Sequence, residues 1–325
     1  MTLQITVLGL NQVGASIGLA LAEPKGQFLR VGNDRDPDVA RTAGKLGAFD
    51  QVLYNLHASV EKADLVILAM PVDEIRKTLE VIAKDLKQGA VVIDTSPVKV
   101  KVMDWAKELI PAGRYFIAMT PTLNPQYLES LATGVNAARP DLFKNGLMVI
   151  THPPGTEASA LKLATDLAVS LGAAPLFTDP WEADGLLAAA HLLPRLVAAA
   201  LVNAAADQPG WSEGRKMAGK PFATATAPVL DLDESKALGQ SALLNRENTL
   251  RVLDNLMGEL ETLRQALESQ DEKTLAKRLE HARQNRVDWW IQRTAANWGS
   301  QQEEPPLPTS GNFIARLVGL RKKKE

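Results

Sequence analysis

The sequence QITVLGLNQVGASIGLAL, residues 4–21, predicts a strand, a tight turn and a helix in immediate succession. The turn GLNQVG, residues 9–14, has glycine at the first and sixth positions of the G-x-G-x-x-G pattern that binds dinucleotides. The first glycine keeps the turn tight, and the sixth lets the helix pack closely on the strand. Asn11 replaces the middle glycine. Asparagine tolerates unusual backbone angles, but its side chain occupies space where a phosphate would approach.

The end of the next strand supports a dinucleotide site. Asp34 lies 20 residues beyond Gly14, where a carboxylate can accept hydrogen bonds from both ribose hydroxyls of NAD. Arg35 could stack on adenine or pair with a 2′-phosphate, so NADP stays open, although NAD is slightly preferred. The alternative is a domain of the same shape that no longer holds a nucleotide. The candidate cofactor-binding residues are Gly9, Leu10, Asn11, Gln12, Val13, Gly14, Asp34, Arg35, Met70 and Pro71.

Short apolar runs alternate with helical patterns over the first 180 residues. Apolar residues at consecutive positions are typical of parallel strands that helices cover on both faces. The predicted strands are residues 4–8, 29–31, 65–69, 90–93, 115–118 and 147–151. We therefore expect residues 1–180 to form an N-terminal α/β domain with a Rossmann-like, doubly wound sheet.

The strand signal stops after residue 180. The most apolar long stretch, GLLAAAHLLPRLVAAALV at residues 185–202, contains His191, Pro194 and Arg195, which favours a buried helix over a membrane span. Leucines recur at three- and four-residue spacing from Leu253 to Leu267, a seam typical of helix–helix packing. We expect an all-helical domain over residues 181–298 that forms a homodimer.

The last predicted segment covers residues 299–325. It begins with a polar, proline-rich linker and ends in the sequence NFIARLVGLRKKKE, residues 312–325. The apolar positions of that tail and its basic end suit a weak contact with an anionic membrane or a partner groove. The favoured alternative is a solvated chain terminus.

Composition excludes several classes of function. The 325 residues include 36 basic and 38 acidic ones, a net charge of -2 that supplies no general attraction for nucleic acid. The absence of cysteine excludes disulfides, thiolate nucleophiles and cysteine-ligated metals, and with four histidines we expect no metal site. The N-terminus MTLQITVLGL lacks the features of a signal peptide, so we expect a cytoplasmic protein without an integral membrane segment.

Seven segments, in register over residues 1 to about 290, resemble the prephenate and arogenate dehydrogenases of tyrosine biosynthesis. They are residues 7–21, 32–37, 63–72, 94–99, 116–121, 138–143 and 191–204. The resemblance implies an N-terminal Rossmann domain, a C-terminal helical domain that builds a dimer, and a substrate held between the two. It also implies a reaction in which a ring carbon bearing a hydroxyl gives a hydride to nicotinamide and carbon dioxide is released.

The chain departs from the family's pattern at the positions that the resemblance assigns to catalysis and substrate binding. Thr120 stands in place of a histidine before Pro121, Pro97 replaces a serine, Arg195 replaces a second histidine, and no arginine follows Phe222. Removal of a general base costs roughly 10²–10⁴ in rate. A threonine hydroxyl does not ionise near pH 7 and cannot replace that base.

The remaining polar groups suggest a different site. His191 and Arg195 are four residues apart, on one side of a helix, where Arg195 could bind a carboxylate and His191 could act as base. The alternative for His191 is a core or dimer-interface histidine, and for Lys99 an exposed helix start. The candidate catalytic residues are Thr120 and His191, and the candidate substrate-binding residues are Ser96, Lys99, Asn124 and Arg195.

Two functions are consistent with these residues. The first is an NAD(P)-dependent oxidoreductase of the prephenate dehydrogenase type, with low or altered activity on a small carboxylate substrate. The second is a non-catalytic NAD(P)-binding or regulatory dimer that keeps the fold.

Overall fold

The computed structural model describes residues 3–22, 28–230, 235–296 and 298. Its centre is one eight-stranded sheet with the strand order β3-β2-β1-β4-β5-β6-β7-β8. The strands are β1 Leu3–Leu8, β2 Phe28–Asn33, β3 Gln51–Val52, β4 Leu65–Leu68, β5 Val91–Asp94, β6 Tyr115–Pro121, β7 Leu147–Thr151 and β8 Ala174–Phe177. The strand order reverses direction between β1 and β4, which is the point where doubly wound sheets bind their ligands.

Helices cover both faces of this sheet. They are α1 Gln12–Ala20, α2 Pro37–Lys45, α3 Leu56–Val60, α4 Val72–Ile82, α5 Val100–Leu109 and α6 Ala158–Ser170. Successive residues of β4 alternate between two cores: Leu65 and Ile67 pack in one, and Val66 and Leu68 pack in the other. Burial on both faces thus explains the consecutive apolar residues of the strands, as predicted. The Rossmann-like doubly wound sheet is confirmed.

Strand β7 departs from the parallel arrangement because it pairs antiparallel with β6. A parallel neighbour requires a crossover connection, usually a helix. The segment between β6 and β7 contains two short 3-10 turns, Pro125–Tyr127 and Val135–Ala137, and no α-helix. The chain therefore returns along the sheet in the opposite direction, and β8 then runs parallel to β7.

The part of the chain described beyond β8 is helical, as predicted. The helices are α7 Pro180–Leu187, α8 Leu193–Ala206, α9 Trp211–Met217, α10 Lys220–Thr226, α11 Ser235–Leu244, α12 Arg246–Glu268 and α13 Glu272–Ala295. A single π-helical segment, Ala188–Leu192, joins α7 to α8. Pro194 follows directly and lacks the N–H that a regular helix would use, which accounts for the interruption at this point.

The helical run Pro180–Ala206 is long and apolar enough to cross a membrane by length and composition alone. Only 17% of its most apolar window is buried, so the prediction of a buried helix is wrong for the single chain. Leu186 and Leu201 are 55% and 39% exposed, and Leu260 and Leu267 of α12 are also exposed. Within the part of the chain that the structure describes, these apolar side chains are exposed to solvent.

The linker and basic tail predicted for residues 299–325 lie outside the described residues.

Candidate functional site

The turn after β1 depends on its two glycines. Gly9 has a φ of +87°, and a Cβ there would lie 2.4 Å from the carbonyl oxygen of Ala69. A Cβ on Gly14 would lie 1.9 Å from the carbonyl oxygen of Gly9. Both distances are far below van der Waals contact, so no other residue fits either position without movement of the backbone. The resulting close packing brings the start of α1 to the carboxyl edge of β1, as a dinucleotide site requires.

Asn11 is the N-cap of α1. Its side-chain oxygen accepts a hydrogen bond from the Gly14 backbone N–H at 3.1 Å. The helix therefore begins at Gln12, earlier than the sequence pattern from Ala15 indicates. The Gln12 side chain donates to the Ala137 carbonyl at 3.2 Å. These two polar side chains of the turn thus hold the protein's own backbone.

Asp34 ties the end of β2 to the same turn. One of its carboxylate oxygens accepts the Leu10 N–H at 2.6 Å, and the other accepts the Asp36 N–H at 2.8 Å. Each oxygen has a second lone pair that a ribose hydroxyl can use. Arg35 is an exposed side chain that forms an ion pair with Glu74 in the first turn of α4.

Met70 and Pro71 lie between β4 and α4, next to Gly9 at the switch point of the sheet. The Met70 sulfur accepts a hydrogen bond from the Thr78 hydroxyl at 3.3 Å. Pro71 is the N-cap residue of α4, without a capping side chain. The structure therefore brings all ten predicted cofactor-binding residues to one edge of the sheet, on the loops that follow β1, β2 and β4.

A buried ion pair supports the loop after β5. Lys99 is fully buried, which makes an exposed helix start the wrong alternative, and its Nζ lies 3.3 Å from Oδ2 of Asp94. Burial lowers the pKa of the Lys99 ammonium, while the neighbouring Asp94 carboxylate opposes that change. Ser96 donates its hydroxyl hydrogen bond to Asp94 at 2.9 Å. The loop is therefore held from inside by charge and hydrogen bonds.

Asp184 of α7 reaches this loop from the helical region, and the sequence analysis missed it. Its two carboxylate oxygens accept the backbone N–H groups of Lys99 at 2.6 Å and Val100 at 3.1 Å. They satisfy the start of α5, which has no capping side chain of its own. Burial raises the pKa of Asp184, and these two hydrogen bonds act in the opposite direction. The available signal was an acidic residue directly before a long apolar run.

Thr120, which the family resemblance places at a histidine position, lies in β6. Its side chain lies at the carboxyl end of β6 and is 7% exposed. The hydroxyl donates its only proton to the carbonyl oxygen of Ser96 at 2.8 Å. This hydroxyl has no second proton to donate, and it does not ionise near pH 7.

The Asn124 side chain forms hydrogen bonds with two backbone groups of the same chain. Its amide nitrogen donates to the Asp141 carbonyl at 3.1 Å, and its amide oxygen accepts the Gln126 N–H at 3.2 Å. This arrangement caps the 3-10 turn after β6. A second N–H of the amide nitrogen and a second lone pair of the amide oxygen are left for other contacts.

His191 lies in the π-helical segment and is half-buried. Burial lowers the pKa of its imidazole to about 4, and the positive charges of Arg195 and Lys99 contribute in the same direction. The ring is therefore neutral at pH 7 and has a nitrogen that can accept a proton or a hydrogen bond. These three predicted residues come together near the loop that follows β5.

The described residues contain no group of three or more His, Asp or Glu side chains that could hold a metal ion.

Residues 17–175 match the family model described as "Prephenate dehydrogenase, nucleotide-binding domain". The chain is 28% identical over 275 residues to prephenate dehydrogenase of Bacillus subtilis (strain 168), an alignment that covers 83% of this chain and 72% of that protein. It is 25% identical over 281 residues to cyclohexadienyl dehydrogenase of Zymomonas mobilis, which covers 86% of this chain and 93% of that protein. These matches support a place for the chain in the prephenate/arogenate dehydrogenase family.

Solved structures of this family share the fold across both regions of the chain. Prephenate dehydrogenase from A. aeolicus, solved in complex with hydroxyphenyl propionate and NAD+, superimposes with a TM-score of 0.76 at 20% identity. That superposition covers 89% of this chain and 98% of the other. Synechocystis arogenate dehydrogenase gives a TM-score of 0.68 at 23% identity, with 88% and 100% covered. The α/β sheet with a helical region after it is thus the fold of the prephenate/arogenate dehydrogenases.

The residues present fit a dinucleotide at the first turn, because Gly9 and Gly14 let the start of α1 pack against the carboxyl edge of β1. In the loop after β5, the Ser96 carbonyl accepts the Thr120 hydroxyl, and Lys99 lies close enough to His191 to affect its charge.

Proposed function

We propose that the protein is a prephenate dehydrogenase-like, NAD(P)-dependent oxidoreductase with low or altered activity toward prephenate itself. The observation that carries this proposal is the hydrogen bond from the Thr120 hydroxyl to the Ser96 carbonyl at 2.8 Å. It supports the view that the position of the missing base is filled by a group that cannot accept the substrate's proton.

The cofactor would lie along the turn of residues 9–14, with its pyrophosphate at the start of α1 and its ribose beside Asp34. NAD is the proposed cofactor, because a carboxylate at the ribose disfavours the additional phosphate of NADP. When bound, the nicotinamide accepts a hydride. Met70 and Pro71 would border it, since they follow β4 at the switch point of the sheet.

The substrate we propose is a small carboxylate held between the sheet and the helical region. Arg195 is the proposed carboxylate ligand, and neutral His191 is the proposed proton acceptor. Ser96, Lys99 and Asn124 would shape the site around them. Lys99 would add positive charge to the site without touching the substrate, because its ammonium is paired with Asp94 beneath the loop that follows β5.

We also propose that residues 1–180 form the dinucleotide-binding domain and residues 181–298 the domain that joins two chains in a cytoplasmic homodimer. The exposed apolar faces of α8 and α12 support this assembly. A second copy would cover the run Pro180–Ala206, which interrupts its apolar residues with His191 and Arg195, in preference to a lipid bilayer.

The experiment measures NADH formation with prephenate and with arogenate, for the native chain and for Thr120→His. We expect the native chain to turn over well below the usual range of about 1–10³ per second, and Thr120→His to be faster. NADH titration of both proteins is the control that nucleotide binding is preserved. Native turnover within the usual range would show that another base serves the reaction.

A non-catalytic dinucleotide-binding dimer is the second candidate, and the same Thr120 hydrogen bond favours it. NADH binding without turnover by the native chain or by Thr120→His would select this candidate. Absence of NADH binding at millimolar concentration would exclude both nucleotide-dependent functions.

A further inference from the structure

Arg35 directly follows Asp34, the residue whose carboxylate is proposed to bind the ribose. Its side chain forms an ion pair with another residue, Glu74. Its guanidinium donates to the carboxylate of Glu74, which lies in the first turn of α4. The two partners are 39 residues apart in the chain, and the contact joins the loop after β2 to the helix after β4. The pair therefore spans the space beside the ribose position from one side of the switch point to the other.

The partners of this pair are unequal in their exposure. The Arg35 side chain is 75% exposed, whereas the Glu74 side chain is 26% exposed. The Glu74 carboxylate is therefore the more buried partner, and it anchors an arginine side chain that is otherwise open to solvent. Burial raises the pKa of Glu74, while the positive charge of Arg35 acts in the opposite direction.

Two further carboxylates add negative charge here. Asp34 and Asp73 are both close enough to raise the pKa of Glu74. Asp73 is offset by Lys236 of α11, whose Nζ lies 3.1 Å from its Oδ2. Asp34 binds backbone N–H groups and has no cation of its own among its described hydrogen bonds. A phosphate on the ribose 2′-oxygen would thus meet negative charge from Asp34 and Glu74.

We propose that Glu74 is a specificity-determining residue that favours NAD over NADP by sequestering Arg35. This proposal rests on the dinucleotide site proposed above. An arginine beside the ribose is the usual ligand of a 2′-phosphate, because its fork of N–H donors matches phosphate oxygens. Glu74 accepts one N–H group of that fork and adds a charge that repels phosphate. Loss of the Glu74 charge frees Arg35 for a 2′-phosphate and leaves the contacts to unphosphorylated ribose in place.

The test compares dissociation constants for NADH and NADPH, measured by fluorescence titration of the full chain without substrate. We expect Glu74→Gln to tighten NADPH binding on the order of tenfold, the change that one charge-assisted contact supplies, and to change NADH binding less than about twofold. Glu80→Gln is the matched control, because Glu80 lies on the same helix and pairs with Arg76 at 3.1 Å. It should leave both constants unchanged.

A second variant separates sequestration of Arg35 from simple loss of repulsion. In Arg35→Gln/Glu74→Gln, most of the gain in NADPH affinity should disappear, because the freed guanidinium is absent. Normal NADH binding together with unchanged NADPH affinity in Glu74→Gln would overturn the role of Glu74 and leave the proposed cofactor site intact. A gain in Glu80→Gln as large as in Glu74→Gln would also overturn it. Failure of the native chain to bind either nucleotide would overturn the proposed site and this role together.

Discussion

His191 shows at the scale of one residue how burial sets the chemistry of a side chain. Its imidazole is held neutral by burial and by the charges of Arg195 and Lys99, with a pKa of about 4. The unfolded chain binds its proton near the ordinary value of 6.5. Between these two pH values the unfolded state therefore binds more protons than the folded state, so stability falls as the pH is lowered through this window.

We expect this window to be visible when native protein is compared with His191→Gln. From pH 7 to pH 4.5, the native chain should lose about 2 kcal/mol more stability than the variant, because only the native chain carries the titrating imidazole. The measurement is urea unfolding at a series of pH values, read as the difference between the two proteins. A difference that is constant across this range would show that the ring is solvated in the folded state.

Sequence patterns predicted the glycine-containing turn but missed several long-range contacts of the candidate site. Gly9 and Gly14 were identified because their spacing reports a steric requirement that is local in sequence. The hydrogen bond from Lys99 to Asp184 joins residues 85 positions apart, so no local pattern contains it. The pairing of Arg35 with Glu74 was missed for the same reason. Contacts of this kind depend on which helices the fold places side by side.

At the scale of elements, the start of α5 depends on a carboxylate from α7. Asp184 is 3% exposed and accepts two backbone N–H groups that no side chain of α5 caps. We expect Asp184→Ala to destabilise the protein by about 2–4 kcal/mol, because two backbone donors lose their acceptor and the buried Lys99 ammonium loses a nearby negative charge. Urea denaturation measures this change.

Asp104→Ala is the matched control for that variant. Asp104 lies on α5, the helix whose start Asp184 caps; its side chain is 60% exposed and makes a long contact of 3.7 Å with Lys101. Its replacement should change stability by no more than about 0.5 kcal/mol. Equal effects at the two positions would show that the Asp184 contacts contribute nothing beyond an ordinary surface carboxylate.

The pattern of strands and helices was predictable where elements are long and apolar, and less so at the edges of the sheet. The two-residue strand β3 and the strand β8, with Pro175 in it, were not predicted. Short edge strands carry little periodicity, and proline is unfavourable in a strand interior. The reversed direction of β7 follows from the helix-free connection before it, which the sequence analysis did not assign.

At the scale of the whole molecule, the described residues leave large apolar side chains exposed on two helical segments. Leu260 and Leu267 are 56% and 63% exposed on α12, and Leu186 and Leu201 are exposed on the run Pro180–Ala206. Leucines at these positions repeat along one side of each helix, which is the geometry of a helix–helix interface. Contiguous apolar surface of this kind is rare on monomers and marks a contact between proteins.

We therefore expect light scattering at micromolar concentration to give the mass of two chains, and the double variant Leu260→Glu/Leu267→Glu to give the mass of one. Two buried carboxylates without partners cost more than such a contact supplies, because their desolvation is not offset. Leu131→Glu is the control, since Leu131 is 68% exposed on a loop of the sheet region and its replacement should leave the dimer intact. A native mass of one chain would contradict the assembly. A double variant that stays dimeric would show that two chains meet through a surface other than this face of α12.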